Sequence, residues 1–200
     1  MNYELLVNKN HPIDQDYLNS IVIPSLVQVN FDRDNDEIFK EFGIKNKNIY
    51  LEKETADAWY QLKEFINKKG IKFDICSGYL SLENQQNKYN NFLIRNGIET
   101  TEKRMCLPGY SEHHTGLAID CDYFINNDWA GICNEEAPET KYIHSILHIF
   151  GFILRYPKHK QEITGVQYEP WHIRYVGKKL AKELYEKDMV LEEYYDKKIK

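Results

Sequence analysis

The chain has 200 residues, 42% of them hydrophobic and 28% charged, with a formal charge of -5 and a pI near 5.8. That length and composition fit one globular domain spanning 1–200 and exclude a largely disordered chain. Net acidity with scattered bases argues against sequence-independent nucleic-acid binding, which needs clustered phosphate-neutralising Lys and Arg.

The N-terminus, Met1-Asn2-Tyr3-Glu4-Leu5-Leu6-Val7, has an acid where a signal peptide would be positive, and no apolar run approaches the roughly 18 residues of a membrane span. A cytoplasmic protein is the expectation. Residues 1–50 show little periodicity and read as a wrapping segment. Asn10-His11-Pro12 is a turn in which His11 is structural, and Asp32-Arg33-Asp34-Asn35-Asp36 is a polar loop.

Over residues 51–69, Ala58, Trp59, Leu62, Phe65 and Ile66 recur at three- and four-residue spacing, which predicts an amphipathic helix capped by Thr55, with Trp59 in the core. Residues 71–76 alternate apolar and polar side chains, the pattern of a strand with one face on the core, ending at Ser77-Gly78-Tyr79. Ser81 can cap a second helix over 82–96 that stops at Gly97. A loop then leads to Ser111-Glu112-His113-His114-Thr115-Gly116-Leu117-Ala118-Ile119-Asp120, where Gly116 allows a turn and Leu117-Ala118-Ile119 reads as a short buried strand carrying Asp120.

A third helix is expected over 139–150. It carries His144 and His148 at metal-capable spacing, but no Glu stands between them as in a zincin helix, so both read as helix-surface or partly buried residues. Residues 152–156 and 166–168 read as strands, the second delivering Glu169-Pro170-Trp171-His172. The sign-alternating C-terminal stretch 178–200 reads as a solvated helical face. Loosely alternating helices and strands with long connections predict an α+β domain with a small, mainly antiparallel sheet.

The four cysteines, Cys76, Cys106, Cys121 and Cys133, contain no C-x-x-C pair and read as free thiols. Cys121 follows Asp120 directly and would point to the opposite face of a strand, which makes it a poor ligand.

Two imidazoles and a carboxylate suit a catalytic zinc, which takes three protein ligands and leaves a position open for water. His113, Asp120 and His172 are the candidate ligands. Glu169, three residues before His172, is the candidate general base.

Ser111-x-His113-x-x-Gly116-x-Ala118-x-Asp120 followed by Glu169-Pro170-Trp171-His172 resembles the signature of the zinc D-alanyl-D-alanine carboxypeptidases and dipeptidases of the VanY, VanXY and VanX type. The runs Gly151-Phe152-Ile153-Leu154-Arg155-Tyr156-Pro157 and Asn8-Lys9-Asn10-His11-Pro12 are most similar to the cytoplasmic VanXY branch. The resemblance implies the fold these peptidases share with the hedgehog domain, and one Zn2+ on His113, Asp120 and His172 with Glu169 as catalytic glutamate. It also implies substrate contacts from Ser111, Gln85, Tyr79 and Trp171. The implied partners are peptidoglycan precursors ending in D-Ala-D-Ala, and the implied reaction removes their terminal D-Ala or splits the free dipeptide. Related readings are an L,D-carboxypeptidase, a wall endopeptidase, or a zinc-bearing peptide-binding module with weakened catalysis. The last is raised by Leu80, which stands where the family usually has an Arg able to stabilise the oxyanion; Arg104 and Arg155 are the candidate replacements.

Overall fold

The computed structural model describes residues 1–32, 48–126 and 128–199. Arg33 to Asp36 of the expected polar loop, and Asn127 of the turn after Asp120, lie outside them. The strands are β1 (Leu26–Val29), β2 (Ile49–Glu52), β3 (Phe73–Ser77), β4 (Ala118–Ile125), β5 (Asp128–Trp129), β6 (Phe152–Leu154) and β7 (His172–Tyr175). Among the described residues, the helices of seven or more residues are α1 (Lys53–Asn67), α2 (Leu82–Asn96), α3 (Ile98–Arg104), α4 (Pro138–Ile146), α5 (Lys178–Glu186) and α6 (Leu191–Ile199). The expected α+β class holds. β3, β4, β7 and β6 lie side by side in that order, β5 extends the sheet from β4, β1 pairs with β2 separately, and every pairing is antiparallel.

Register explains how distant residues reach one site. Asp120 stands opposite Ser77 on β3 and opposite His172 on β7, so the middle strand carries a carboxylate directly beside an imidazole. A register shift between Ile75 and Ser77 re-aims the end of β3. The chain then continues through Gly78, where an added Cβ would lie 2.6 Å from the Tyr50 carbonyl oxygen. Only glycine lets β2 pass this close.

α1 lays Ala58, Trp59, Leu62 and Ile66 onto the sheet. Its cap differs from the expectation: Glu52 Oε2 accepts from the Thr55 amide at 3.0 Å, and Thr55 is itself buried. Phe65 sits at the edge of that face, 39% exposed, with its ring 5.4 Å from that of Phe150. Trp59 is fully buried, as expected, against Phe73 at 5.2 Å between ring centroids. Asp74 departs from the alternation read for its strand: it is buried, and its charge is met by Lys63, reaching from α1, at 2.8 Å.

α2 begins at the expected cap, with Ser81 accepting from the Asn84 amide at 3.1 Å. The expected strand over 166–168 is absent: that segment is irregular, and the Gln161 side chain binds the Tyr168 amide at 3.0 Å in place of a ladder partner. The C-terminal stretch is more than a solvated face. Leu180, Ala181, Leu184 and Leu191 close a second apolar cluster with Leu6, Ile153 and Val176. No helix among the described residues is long and apolar enough to cross a membrane.

Candidate metal and active site

His113 lies on a 3-10 turn, Glu112–Thr115, that Ser111 caps by accepting from the His113 amide at 3.3 Å. The turn ends at Gly116, whose φ of 69° lies in the left-handed region where side-chain-bearing residues are disfavoured. Strand β4 then starts at Ala118 and brings Asp120 back beneath His113. His172 opens β7 after the turn Glu169-Pro170-Trp171, closed by the His172 amide on the Glu169 carbonyl at 3.1 Å.

One ligand atom from each of His113, Asp120 and His172 falls within 4.8 Å of the other two. The Asp120 carboxylate is 3.3 Å from His113 Nε2 and 3.0 Å from His172 Nδ1. The outer ring nitrogens are taken by the surroundings. His113 Nδ1 lies 2.7 Å from the Gly78 carbonyl, to which it donates, and His172 Nε2 lies 3.5 Å from the Glu112 carboxylate. Those contacts occupy the far side of each ring, so His113 Nε2 and His172 Nδ1 are the nitrogens that would face a bound metal. Burial alone would lower the His172 pKa, but Asp120 and Glu112 raise it to about 9. The donor set fits zinc, which when bound acidifies water and polarises a carbonyl.

Glu169 Oε2 is 3.8 Å from His172 Nδ1, beside the triad and outside its ligand set. Burial, with Asp120 adding, pushes its carboxyl up to about 7 against the pull of His172, Lys88 and Arg104. A carboxyl that titrates near neutrality suits proton transfer in both directions. Triad and Glu169 line one cavity of about 370 Å³, shared with Ser111, Gln85 and Trp171. Gln85 donates to the Cys106 carbonyl at 2.6 Å, while its buried Oε1 has no partner among the described residues. Tyr79 lies elsewhere, against the N-terminal cluster of Val7, Ile13, Leu18 and Val22, and does not line the cavity.

The two candidate replacements for the missing arginine part company. Arg155 is fully buried and committed: it donates to Glu112 at 2.7 Å, donates to Glu192 at 2.8 and 2.6 Å, and lies 4.8 Å from the Tyr156 ring centroid. Arg104 borders the cavity. Leu80 is buried outside the cavity lining, and its carbonyl accepts from His114 Nδ1 at 2.7 Å.

Among the other histidines, His11 closes its turn at 2.9 Å from Asn8 Oδ1, and His148 stacks on Tyr185 at 3.9 Å. His144 donates from Nε2 to the Pro170 carbonyl at 2.9 Å, bracing the turn that holds Glu169. The four cysteines form no disulfide with one another, and Cys121 turns into the core cluster beside β4. Burial raises the Cys133 thiol and pushes Cys106 up to about 11, so neither is a thiolate nucleophile at neutral pH.

Sequence reasoning gave no role to Glu112, Arg174 or Tyr156. Glu112 accepts from Arg155 and, at 2.8 Å, from Arg174, and the Tyr156 ring lies 5.0 Å from that of His172. Glu112 directly precedes His113 but meets His172, at 3.5 Å, so its place depends on strand register and no local signal marks it.

Comparison with known proteins agrees with this geometry. A family model described as VanY, D-alanyl-D-alanine carboxypeptidase, matches residues 48–178. The chain is 36% identical over 201 residues to the bifunctional D-Ala-D-Ala dipeptidase and carboxypeptidase VanXYC of Enterococcus gallinarum, covering 98% of this chain and 95% of that one. It is 35% identical to the putative carboxypeptidase YodJ of Bacillus subtilis (strain 168), covering 96% of this chain but only 66% of that protein's length. A crystal structure of a VanY D,D-pentapeptidase mutant from a VanB-type resistance cassette, in complex with Zn(II), superposes with a TM-score of 0.74 at 27% identity, covering 98% of this chain and 99% of that one. The chain belongs to the VanY D-alanyl-D-alanine carboxypeptidase family.

Proposed function

We propose that this chain is a zinc-dependent carboxypeptidase that removes the terminal D-Ala from peptidoglycan precursor peptides ending in D-Ala-D-Ala, and that it also splits the free dipeptide. The observation that carries the reading is the meeting of His113, Asp120 and His172 in one cavity, with the Glu169 carboxylate beside them but not among them. The dual activity named for the Enterococcus gallinarum relative supports both substrates. Four cysteines without a disulfide suit a reducing compartment, which supports a cytoplasmic site of action.

The residues divide the work as follows. Glu169 takes a proton from the attacking water as the new C–O bond forms at the scissile carbonyl. It returns that proton to the amide nitrogen as the C–N bond breaks, so D-Ala leaves as the amine. Unpartnered Gln85 Oε1 can accept a substrate N–H, and the Ser111 hydroxyl retains a hydrogen to donate to the terminal carboxylate. Trp171 supplies a flat wall, and His144 holds the turn that aims Glu169.

Leu80 favours a second reading, a zinc-bearing module that binds wall peptides without cleaving them, because an apolar side chain there cannot stabilise an oxyanion. One experiment separates the two. Zinc-loaded protein is incubated with D-Ala-D-Ala, a pentapeptide precursor and a tetrapeptide bearing a single terminal D-Ala, and released D-Ala is quantified. Release from the first two supports the proposal. Release from the tetrapeptide alone would indicate an L,D-carboxypeptidase, and tight binding with no release would indicate the module.

A further inference from the structure

We propose that Glu192, on the C-terminal helix α6, is a positioning residue for the metal ligand His172, and that Asn8, near the other end of the chain, holds Glu192 in place. The inference rests on the zinc reading of the triad and adds to it two residues that lie outside the cavity lining. Both also lie outside the span 48–178 that matches the family model.

Asn8 is buried at the head of the turn Asn8-Lys9-Asn10-His11. Its Oδ1 accepts from the Asn10 and His11 amides at 3.0 and 3.1 Å, and its Nδ2 donates to Glu192 Oε1 at 3.0 Å. Glu192 grips the outer edge of Arg155 with both oxygens, Oε1 accepting from Nη2 at 2.6 Å and Oε2 from Nη1 at 2.8 Å. A two-point grip fixes the plane of a guanidinium, and with it the direction of the remaining N–H. That group is Nε, which donates to Glu112 Oε1 at 2.7 Å, the same oxygen that accepts from Arg174 Nη1 at 2.8 Å. With Oε1 taken twice, Glu112 turns Oε2 toward His172 Nε2, at 3.5 Å. The other nitrogen of that ring, Nδ1, lies 3.0 Å from Asp120.

Charge and slack both make this series more than packing. Glu112 and Glu192 balance Arg155 and Arg174, so the four groups together are neutral. The side chains of Glu112, Arg155 and Arg174 are fully enclosed, and that of Glu192 is 12% exposed. Without the Glu192 carboxylate the set becomes net positive beside an imidazole that is to hold a cation, in surroundings where water screens little. The links from Asn8 to Glu112 are all 3.0 Å or shorter, whereas the last one, to His172, stands at the outer limit of a hydrogen bond. A small swing of Arg155 would therefore break that link first and release the ring. The outer partners of a ligating imidazole set its orientation and basicity, so their loss is read in metal affinity.

The test measures zinc affinity by competition with a chromophoric chelator on full-length wild type, Glu192→Gln, Glu192→Asp and Glu193→Gln, with cobalt(II) as a second, spectroscopic probe. Glu193 neighbours Glu192 on α6 but pairs with Lys160, at 3.1 Å, so its substitution removes the same charge outside the series. Glu192→Gln should weaken zinc binding roughly tenfold, the low end of the range for an outer partner, and shift the visible bands of bound cobalt. Glu192→Asp keeps the charge but is one methylene short of the two-point grip, and should fall between wild type and Glu192→Gln. Glu193→Gln should bind zinc as wild type does. A merely structural role for Glu192 would lower the urea midpoint and leave the zinc affinity of the folded chain untouched. Wild-type affinity in Glu192→Gln, or equal losses in Glu192→Gln and Glu193→Gln, would overturn the proposal, the latter by tracing the effect to the charge of α6 as a whole. If Glu192→Gln does not fold, wild-type affinity in Glu192→Asp overturns it instead. A wild type that binds no zinc would count against the metal reading itself, and because no peptide is used, absence of hydrolysis bears on neither.

Discussion

At the scale of single residues, the chemistry divides between groups that hold a metal and a group that moves a proton. Glu169 lies 3.8 Å from His172 yet outside the ligand set. Glu169→Gln should therefore lower kcat for D-Ala release by roughly 100-fold to 10,000-fold, the range expected for losing a general base, while zinc content stays at the wild-type level. A variant that lost its zinc together with its activity would make Glu169 a ligand instead. Gln85→Leu removes a buried cavity-lining acceptor that has no partner among the described residues, so it should raise KM for peptide substrates several-fold, as expected for a missing hydrogen bond of about 1 kcal/mol. Steady-state kinetics on both variants check these outcomes. The triad and Glu169 were legible in the sequence because two short motifs carry all four. Tyr79 was not, since its neighbours Val7, Ile13, Leu18 and Val22 come from a segment with no periodicity of its own.

At the scale of elements, what was legible followed local signals. The second helix runs from Leu82 to Asn96 as its Ser81 cap and Gly97 stop foretold, because both signals act within one turn of the chain. Residues 166–168 misled, since a Val-x-Tyr pattern fits a strand but nothing in sequence reveals that the Gln161 side chain will take the Tyr168 amide. The turn after His113 is the most sensitive connection. Gly116 has a φ of 69°, and a Cβ there would lie 2.9 Å from the Glu52 nitrogen and from Leu26. Gly116→Ala should destabilise the fold by about 2 kcal/mol or more, from left-handed strain and crowding together, read as a lower urea midpoint. His144→Ala frees the Pro170 carbonyl and should lower kcat more than stability, because the brace acts on the turn that aims Glu169. Equal zinc content in that variant would confirm that the triad itself is undisturbed.

At the scale of the whole molecule, a buried charge network ties the ends of the chain to the metal site. Glu112, fully enclosed, accepts from Arg155 and Arg174; Arg155 continues to Glu192 on the C-terminal helix, and Arg174 donates to the Leu5 carbonyl at 2.8 Å. Sequence could not show this, because the partners stand 43 and 62 residues from Glu112 and their meeting depends on strand register. Burial alone would raise the Glu112 carboxyl, but the two guanidiniums outweigh it and hold the group well below its ordinary value of 4.5. A depressed carboxyl stabilises fully above that ordinary value, and the contribution is lost as pH falls through it toward the folded pKa. Glu112→Gln should thus cost about 3–5 kcal/mol at pH 7 by stranding two buried guanidiniums, and the gap from wild type should narrow progressively below about pH 4.5. Urea unfolding at several pH values reads this directly, and a gap that stayed constant with pH would contradict the assignment.

The most direct measurement of the account is metal content by elemental analysis on purified wild type, His113→Ala, Asp120→Ala, His172→Ala and Glu169→Gln, after equilibration with zinc and removal of excess. The expected result is one zinc per chain in wild type and Glu169→Gln, and strongly reduced zinc in each triad variant. Undiminished zinc in any one of the three triad variants would contradict the shared centre.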